Sequence, residues 1–279
     1  MKLDPFDHLE GLLAPLAQKL AHPAPGDWLS EHDEPGQTFA AYRVSHPARK
    51  TAQRHTIYLS SLGDLTPERR RILDTTAAYL EVFFDSPVRR HRQIAVEEVP
   101  AEYRRKHPIF PHPQLHSTFI LEGILMRDRP EDALATLAVT ADDLWSGDGW
   151  NFVFGEAYYG HGAVWSMARF GDPVANGNVR RLCLSRSLGT AAHETGHVLG
   201  MDHCIEHECS MNGCNHLEES DRKPLHLCPP CLRKLCWNLQ VDLIPYLGRL
   251  ERFVNGHGFP DEAAWYRRAV ALLDGKGGR

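Results

Sequence analysis

The run His193-Glu194-Thr195-Gly196-His197-Val198-Leu199-Gly200-Met201-Asp202-His203 constrains this chain more than any other stretch. An α-helix advances about 100° per residue, so His193 and His197, four apart, lie about 40° from each other on one face. With Leu188 as the reference direction, Ala192, Thr195 and Leu199 cluster near it, with Ala191 and Val198 beside them, while the two histidines lie on the opposite face. Such a helix packs one side on a core and presents imidazoles from the other. Two imidazoles do not hold Zn²⁺ alone, because a catalytic site uses about three protein ligands and keeps one position for solvent. His203 supplies the third only if the chain leaves the helix after His197 and folds back. Gly200 is placed for that reversal, since glycine adopts positive φ without a Cβ penalty. Glu194 lies at the flank of the metal face, where a carboxylate can take a proton from metal-activated water. Random placement in a chain of this composition gives the five fixed residues only about 3 times in 10,000, so chance explains the pattern poorly.

The rest of the chain can carry such a site. At 279 residues, with 42% hydrophobic and 24% charged residues, it is expected to bury one substantial core, in one or two domains. A net charge of -5 gives no pull toward nucleic acid or an anionic membrane. The arginine pairs Arg89–Arg90, Arg104–Arg105 and Arg180–Arg181 read as solvated surface. No 18 consecutive residues are apolar, so no membrane span is expected. Asp4, Asp7 and Glu10 fall where a secretory signal would be uncharged, so the start reads as an amphipathic helix. A cytoplasmic location is the default expectation.

Residues 1–45 read as an N-terminal extension, one short helix followed by the Pro/Gly-rich AHPAPGDWLSEHDEPGQ. Residues 46–279 read as the catalytic domain, divided near Gly200 into a sheet-containing part, 46–200, and a Cys-rich and helical part, 201–279. Strands are expected at 56–60, 93–99, 135–140, 150–154 and 163–168, the last two as a hairpin-like pair. A helix opens at Thr66-Pro67-Glu68, with Thr66 as cap and Pro67 in the first helical position. Near the C-terminus, helices are expected from Leu232 to Phe253, interrupted near Pro245, and from Asp261 to Leu273. His107, His112 and His116 sit in a Pro-rich stretch that reads as an exposed loop.

Six of the seven cysteines fall between Cys204 and Cys236, and six of the histidines, His193 to His226, overlap that stretch. Without an export signal, such clustering points to metal rather than disulfides. Four thiolates about 2.3 Å from Zn²⁺ make a closed structural site, and two nearby pairs are its usual source. Cys228-Pro-Pro-Cys231 is one such pair; upstream, Cys204, Cys209 and Cys214 are candidates that spacing alone does not separate. A redox dithiol is the rival reading of Cys228 and Cys231, but the preceding βα context of a thioredoxin-like unit is lacking. Cys183, between Leu182 and Leu184, reads as core, and His207, His216 and His226 as polar surface or outer hydrogen-bonding groups.

The full HExxHxxGxxH pattern resembles the metzincin clan of zinc proteases. Within it, Cys204 directly after His203, then Cys209, Met211 and Cys228-Pro-Pro-Cys231, is similar to the archaemetzincin (archaelysin) family. Asp27-Trp28-Leu29, Trp150-Asn151-Phe152-Val153-Phe154-Gly155 and Lys223–Pro229 also look like family sequence. The resemblance implies an α+β, metzincin-like zincin fold: a twisted five-stranded mixed sheet with an active-site helix, and a mostly helical lower part holding a structural zinc. It implies two Zn²⁺ per chain, one catalytic on His193, His197 and His203, one structural on Cys204, Cys209, Cys228 and Cys231. It makes Met211 the Met-turn methionine and leaves Cys214 and Cys236 as extras outside the pattern.

The activity expected is zinc-dependent hydrolysis of a peptide or small-protein substrate by a monomer, with Glu194 as general base and then acid. A substrate peptide is expected to lie extended along the 150–154 segment. The rival is a non-catalytic two-zinc scaffold that binds peptides or a protein partner; the carboxylate at 194 argues against it. A zinc-knuckle nucleic-acid binder is disfavoured by the acidic balance.

Overall fold

In the computed structural model, residues 6–109, 112–175 and 177–275 are described. They divide into two compact units, one formed by 48–81 and 86–199, the other by the N-terminal residues to 47, 82–85 and 200 onward. The division falls between Leu199 and Gly200, inside the histidine run.

The second of these units opens the chain with three short helices, α1 (Leu9–Leu13), α2 (Trp28–Glu31) and α3 (Phe39–Val44). Among the described residues, the 1–45 stretch thus contains three α-helices and a 3₁₀ turn at Ala14–Leu16 where one helix was expected. Thr38 caps α3, its hydroxyl accepting the Ala41 N–H.

The 48–199 unit is built on a five-stranded sheet in the order β2-β1-β5-β8-β7. Its strands are β1 (Thr56–Leu62), β2 (Val88–Ile94), β5 (Ala133–Thr140), β7 (Gly155–Tyr158) and β8 (Gly162–Ser166). Pairing is parallel from β2 through β8, and only the β7 edge is antiparallel. Central β5, ALATLAVT, is buried at all eight positions, as a strand covered on both faces must be. The β1-to-β2 crossover is α4 (Pro67–Phe83), with Thr66 Oγ1 accepting the Arg69 N–H as its sequence predicts. A smaller sheet joins β3 (Arg104–Lys106), β4 (Pro113–His116) and β6 (Asp143–Trp145) in the order β3-β4-β6. After β4, α5 (Ser117–Phe119) runs into a π-helical turn at Ile120–Leu125. Ile120, Leu121 and Leu125 pack there with Leu62, Leu144 and Val164 in one core. The long α6 (Gly177–Val198) carries the histidine motif and packs on β7 and β8.

Three expectations for this unit are corrected. The second strand is Val88–Ile94, not 93–99; Val96–Glu98 forms a 3₁₀ turn instead. Segment 150–154 is irregular apart from a bridge at Val153, and the edge strand begins at Gly155. His107 and His116 do not lie in an exposed loop: His107 is 6% exposed and bonds through its N–H to the His112 carbonyl, at the β3–β4 connection. Burial lowers the affinity of both rings for a proton, below the ordinary histidine range. Residues 110 and 111 of that stretch lie outside the described residues.

In the other unit, the Cys-rich loop leads to α7 (Leu217–Arg222), α8 (Pro229–Leu239), α9 (Leu243–Gly256) and α10 (Pro260–Leu273). The break between α8 and α9 is at Gln240, which is left-handed at φ 56, and not at Pro245. Pro245 sits in the first turn of α9, where a missing N–H goes unused. Leu9, Leu13, Tyr42, Leu235, Tyr246 and Tyr266 are buried in this unit, and Asn238 Nδ2 donates to the Tyr42 hydroxyl at 2.7 Å. Among the described residues, no helix is long and apolar enough to cross a membrane.

Candidate metal centres and active site

The last third of α6 is buried nearly all round, from Thr190 through Gly196. His193 and Glu194 are each 6% exposed, whereas His197 is half-buried. The Nε2 atoms of His193 and His197 stand 3.0 Å apart with their rings perpendicular at 89°. Helical bonding ends at Leu199, whose N–H reaches the Thr195 carbonyl, and Gly200 then turns left-handed at φ 81. A Cβ at 200 would also come within 2.8 Å of the Pro47 Cβ, so both conformation and space require glycine there. Along this continuous segment, one nitrogen each from His193, His197 and His203 lies within 4.8 Å of the other two. Nitrogens bound tetrahedrally at about 2.05 Å stand about 3.3 Å apart, so three neutral imidazoles at these spacings suit a zinc ion.

Glu194 lies against the first residue of the edge strand. A Cβ at Gly155 would fall 2.6 Å from Glu194 Oε1 and 2.7 Å from its Cδ, closer than packed atoms allow. The absent side chain therefore makes room for the carboxylate, a role the sequence alone does not signal because glycine reads there as a turn residue. Tyr159, just beyond that strand, lays its half-exposed ring parallel to His197 at 6.2 Å.

The second donor cluster lies wholly in the other unit. Cys204, Cys209, Cys228 and Cys231 are all buried, and their four sulfurs lie within 4.8 Å of one another. Cys204 and Cys228 are 3.6 Å apart, against about 3.8 Å for thiolates around one tetrahedral zinc. No disulfide forms among the seven cysteines. Hydrogen bonds from Cys209, Cys228 and Cys231 hold the Cys204 thiol far below its usual range. Burial first, then its bonds to Cys204 and Cys228, push Cys209 up; bonding to Cys204 is the chief cause for Cys228 and Cys231. Four buried thiolates this close together need a cation between them.

Asn212, which the sequence reading passed over, organises the loop that carries the first pair. Its Oδ1 accepts the Cys209 N–H at 2.7 Å, and its Nδ2 donates to the carbonyls of Cys204 and His207. The Cys228 N–H points at Cys209 Sγ, 3.3 Å away, as in a zinc knuckle. Met211 is buried, its carbonyl accepting the Cys204 N–H at 2.9 Å. Cys214 and Cys236 stand outside the four: Cys214 is near Lys223 Nζ, and the Cys236 thiol is pushed up by complete burial. His226 pairs with Glu262 at 2.7 Å, and His216 with Asp27 at 3.1 Å. Asp27, His216 and Glu219 form a third close group. There Arg222 already pairs with Asp27, while Glu219 accepts the N–H groups of Trp28 and Asn215, so the group works as a fastening.

The model of Peptidase family M54 matches residues 125–236, which include both donor sets. Archaemetzincin-2 of Mus musculus is 31% identical to this chain, across 89% of the chain and 84% of that protein. Its counterpart in Homo sapiens is 32% identical, with 83% and 73% covered. The chain belongs to the archaemetzincin family. As an archaemetzincin it is a zinc metallopeptidase. Solved archaemetzincin structures agree with the mixed five-stranded fold. That of Methanopyrus kandleri aligns with a TM-score of 0.56 at 27% identity, over 69% of this chain and all but 1% of its own, 99% being covered. That of Archaeoglobus fulgidus, complexed with malonate, gives 0.51 at 30% identity, over 64% of this chain and 99% of that one.

Proposed function

We propose that this archaemetzincin cleaves peptide bonds with a catalytic zinc on His193, His197 and His203 and with Glu194 as its base. The observation that carries the reading is the convergence of three imidazole nitrogens within 4.8 Å, with a buried carboxylate one residue away. Zinc bound there would lower the pKa of a water toward neutrality and polarise the scissile carbonyl. Glu194 accepts the water's proton and then delivers it to the departing amine. Its position beside Gly155 puts that proton next to the open edge of β7, which among the described residues pairs only with β8. A peptide substrate aligns there as an added strand, its backbone satisfying the edge N–H and C=O groups.

A second, structural zinc sits on Cys204, Cys209, Cys228 and Cys231, making two ions per chain, and Met211 forms the apolar floor beneath the histidines. The protein acts as a cytoplasmic monomer on peptides or small proteins, with neither nucleic acid nor membrane as partner.

The test compares wild type with Glu194→Gln on a peptide library, with zinc content measured in both. Equal zinc and a fall in hydrolysis of about 10²- to 10⁴-fold in the variant are expected. Equal hydrolysis by the two removes Glu194 from the chemistry. Zinc retained with no hydrolysis by either would favour the scaffold.

A further inference from the structure

We propose that residues 28–37 belong to the metal site: Glu34 orients His203, and Gln37 fixes the turn that delivers it. The inference rests on the reading that His203 is a zinc ligand. Glu34 Oε1 lies 2.8 Å from His203 Nδ1, and neither side chain is more than 23% exposed. An imidazole that donates its Nδ1–H to a carboxylate leaves the Nε2 lone pair free for a metal, with the ring's tautomer and tilt both fixed.

The carboxylate is itself held. Its Oε1 also accepts the Trp28 indole N–H at 2.9 Å. Trp28 stands edge-on to the His203 ring at 5.1 Å and stacks on His32 at 3.9 Å. Its indole lies flat on Gly213, where a Cβ would come within 2.5 Å of the ring. Its backbone N–H donates to Glu219. Glu34 is thus placed by packing as well as by its attraction to the imidazole.

Gln37 grips the chain reversal from both sides. Its Nε2 donates to the Gly200 carbonyl at 3.0 Å, and its Oε1 accepts the Asp202 N–H at 3.3 Å. The Gln37 carbonyl in turn accepts from Lys234 Nζ, a residue only 2% exposed on α8. A left-handed glycine alone gives a turn that can swing. The amide clamp turns it into a fixed lever, with His203 one residue beyond. Both act as positioning residues, through His203.

The experiment uses the full-length protein and measures zinc affinity by competition with a chromophoric chelator, taking His203→Ala as the baseline for the cysteine site. Glu34→Ala should weaken the histidine-site affinity about 10- to 100-fold. Glu34→Gln keeps an acceptor oxygen in the same shape and should lose less than about tenfold, whereas Glu34→Met, similar in size but without an acceptor, should lose as much as Glu34→Ala, which a packing role alone would not produce. The visible spectrum of the cobalt-loaded protein should shift in Glu34→Ala and stay near wild type in Glu34→Gln. Affinity in Glu34→Ala within twofold of wild type would overturn the proposal. If wild type and His203→Ala bind zinc alike, the reading of His203 as ligand fails first, and the proposal with it.

Discussion

The four-cysteine cluster and the three-histidine segment offer a cation opposite surroundings. Around the cysteines everything is closed: four buried sulfurs, a backbone N–H aimed at one of them, and the Asn212 side chain threading their loop. Around the histidines the shell is uneven. His193 is buried, His197 and His203 are partly open, and Glu194 waits beside them without joining the group. A site with four thiolates leaves no position for solvent, so its binding free energy goes into folding. A site with three imidazoles keeps a position free. Under the proposed function, one chain would thus separate holding its shape from doing its chemistry.

That contrast can be broken or sharpened, and the largest effect is expected at the closed site. Structural zinc sites contribute about 10–16 kcal/mol in isolated zinc-binding peptides. Cys231→Ser should therefore abolish the cooperative thermal unfolding transition, read by circular dichroism. An unchanged transition would reduce the cluster to an ornament on a fold stable without it. Next in size is metal removal. A mild chelator should strip the histidine site first and stop peptide hydrolysis while far-ultraviolet circular dichroism stays native. Simultaneous loss of both would show that the two sites do not differ in this way.

Smaller again is Gly155→Ala. The new Cβ must displace the Glu194 carboxylate, so kcat should fall about 10- to 100-fold, a misplacement cost, with zinc content unchanged. Pairing it with Glu194→Asp should restore part of the clearance, so that the double variant loses less than the product of the two single losses. Smallest is Cys214→Ser, half-buried outside the four sulfurs: zinc content should not change, and stability should move by less than about 0.5 kcal/mol. A lost zinc would instead bring Cys214 into the ligand set.

What the sequence disclosed follows from what is local. The histidine helix, its glycine exit, the capped helix at Thr66-Pro67 and the apolar strands β1, β5 and β8 each declare themselves within a short window. The sequence places the second strand at 93–99 rather than Val88–Ile94 because VRRHRQI carries the charges of an edge strand rather than an apolar alternation. The sequence places the edge strand at 150–154 rather than Gly155–Tyr158 because Gly155 reads as punctuation, while its real constraint is a carboxylate 39 positions later in the chain. The sequence points to Pro245 for the α8–α9 break because proline is the usual helix breaker; Gln240 in a left-handed cap carries no such mark. The N-terminal residues gave least. Glu34 and His203 are 169 positions apart, and no periodicity links a Pro/Gly-rich segment to the ring it holds.

The proposed function requires three histidine rings to share one ion. Zinc per chain, determined by atomic absorption on purified His203→Ala beside wild type, tests this most directly. Two ions falling to one, with peptide hydrolysis lost and the fold intact, is the expected result. Two ions held equally by both proteins would contradict it.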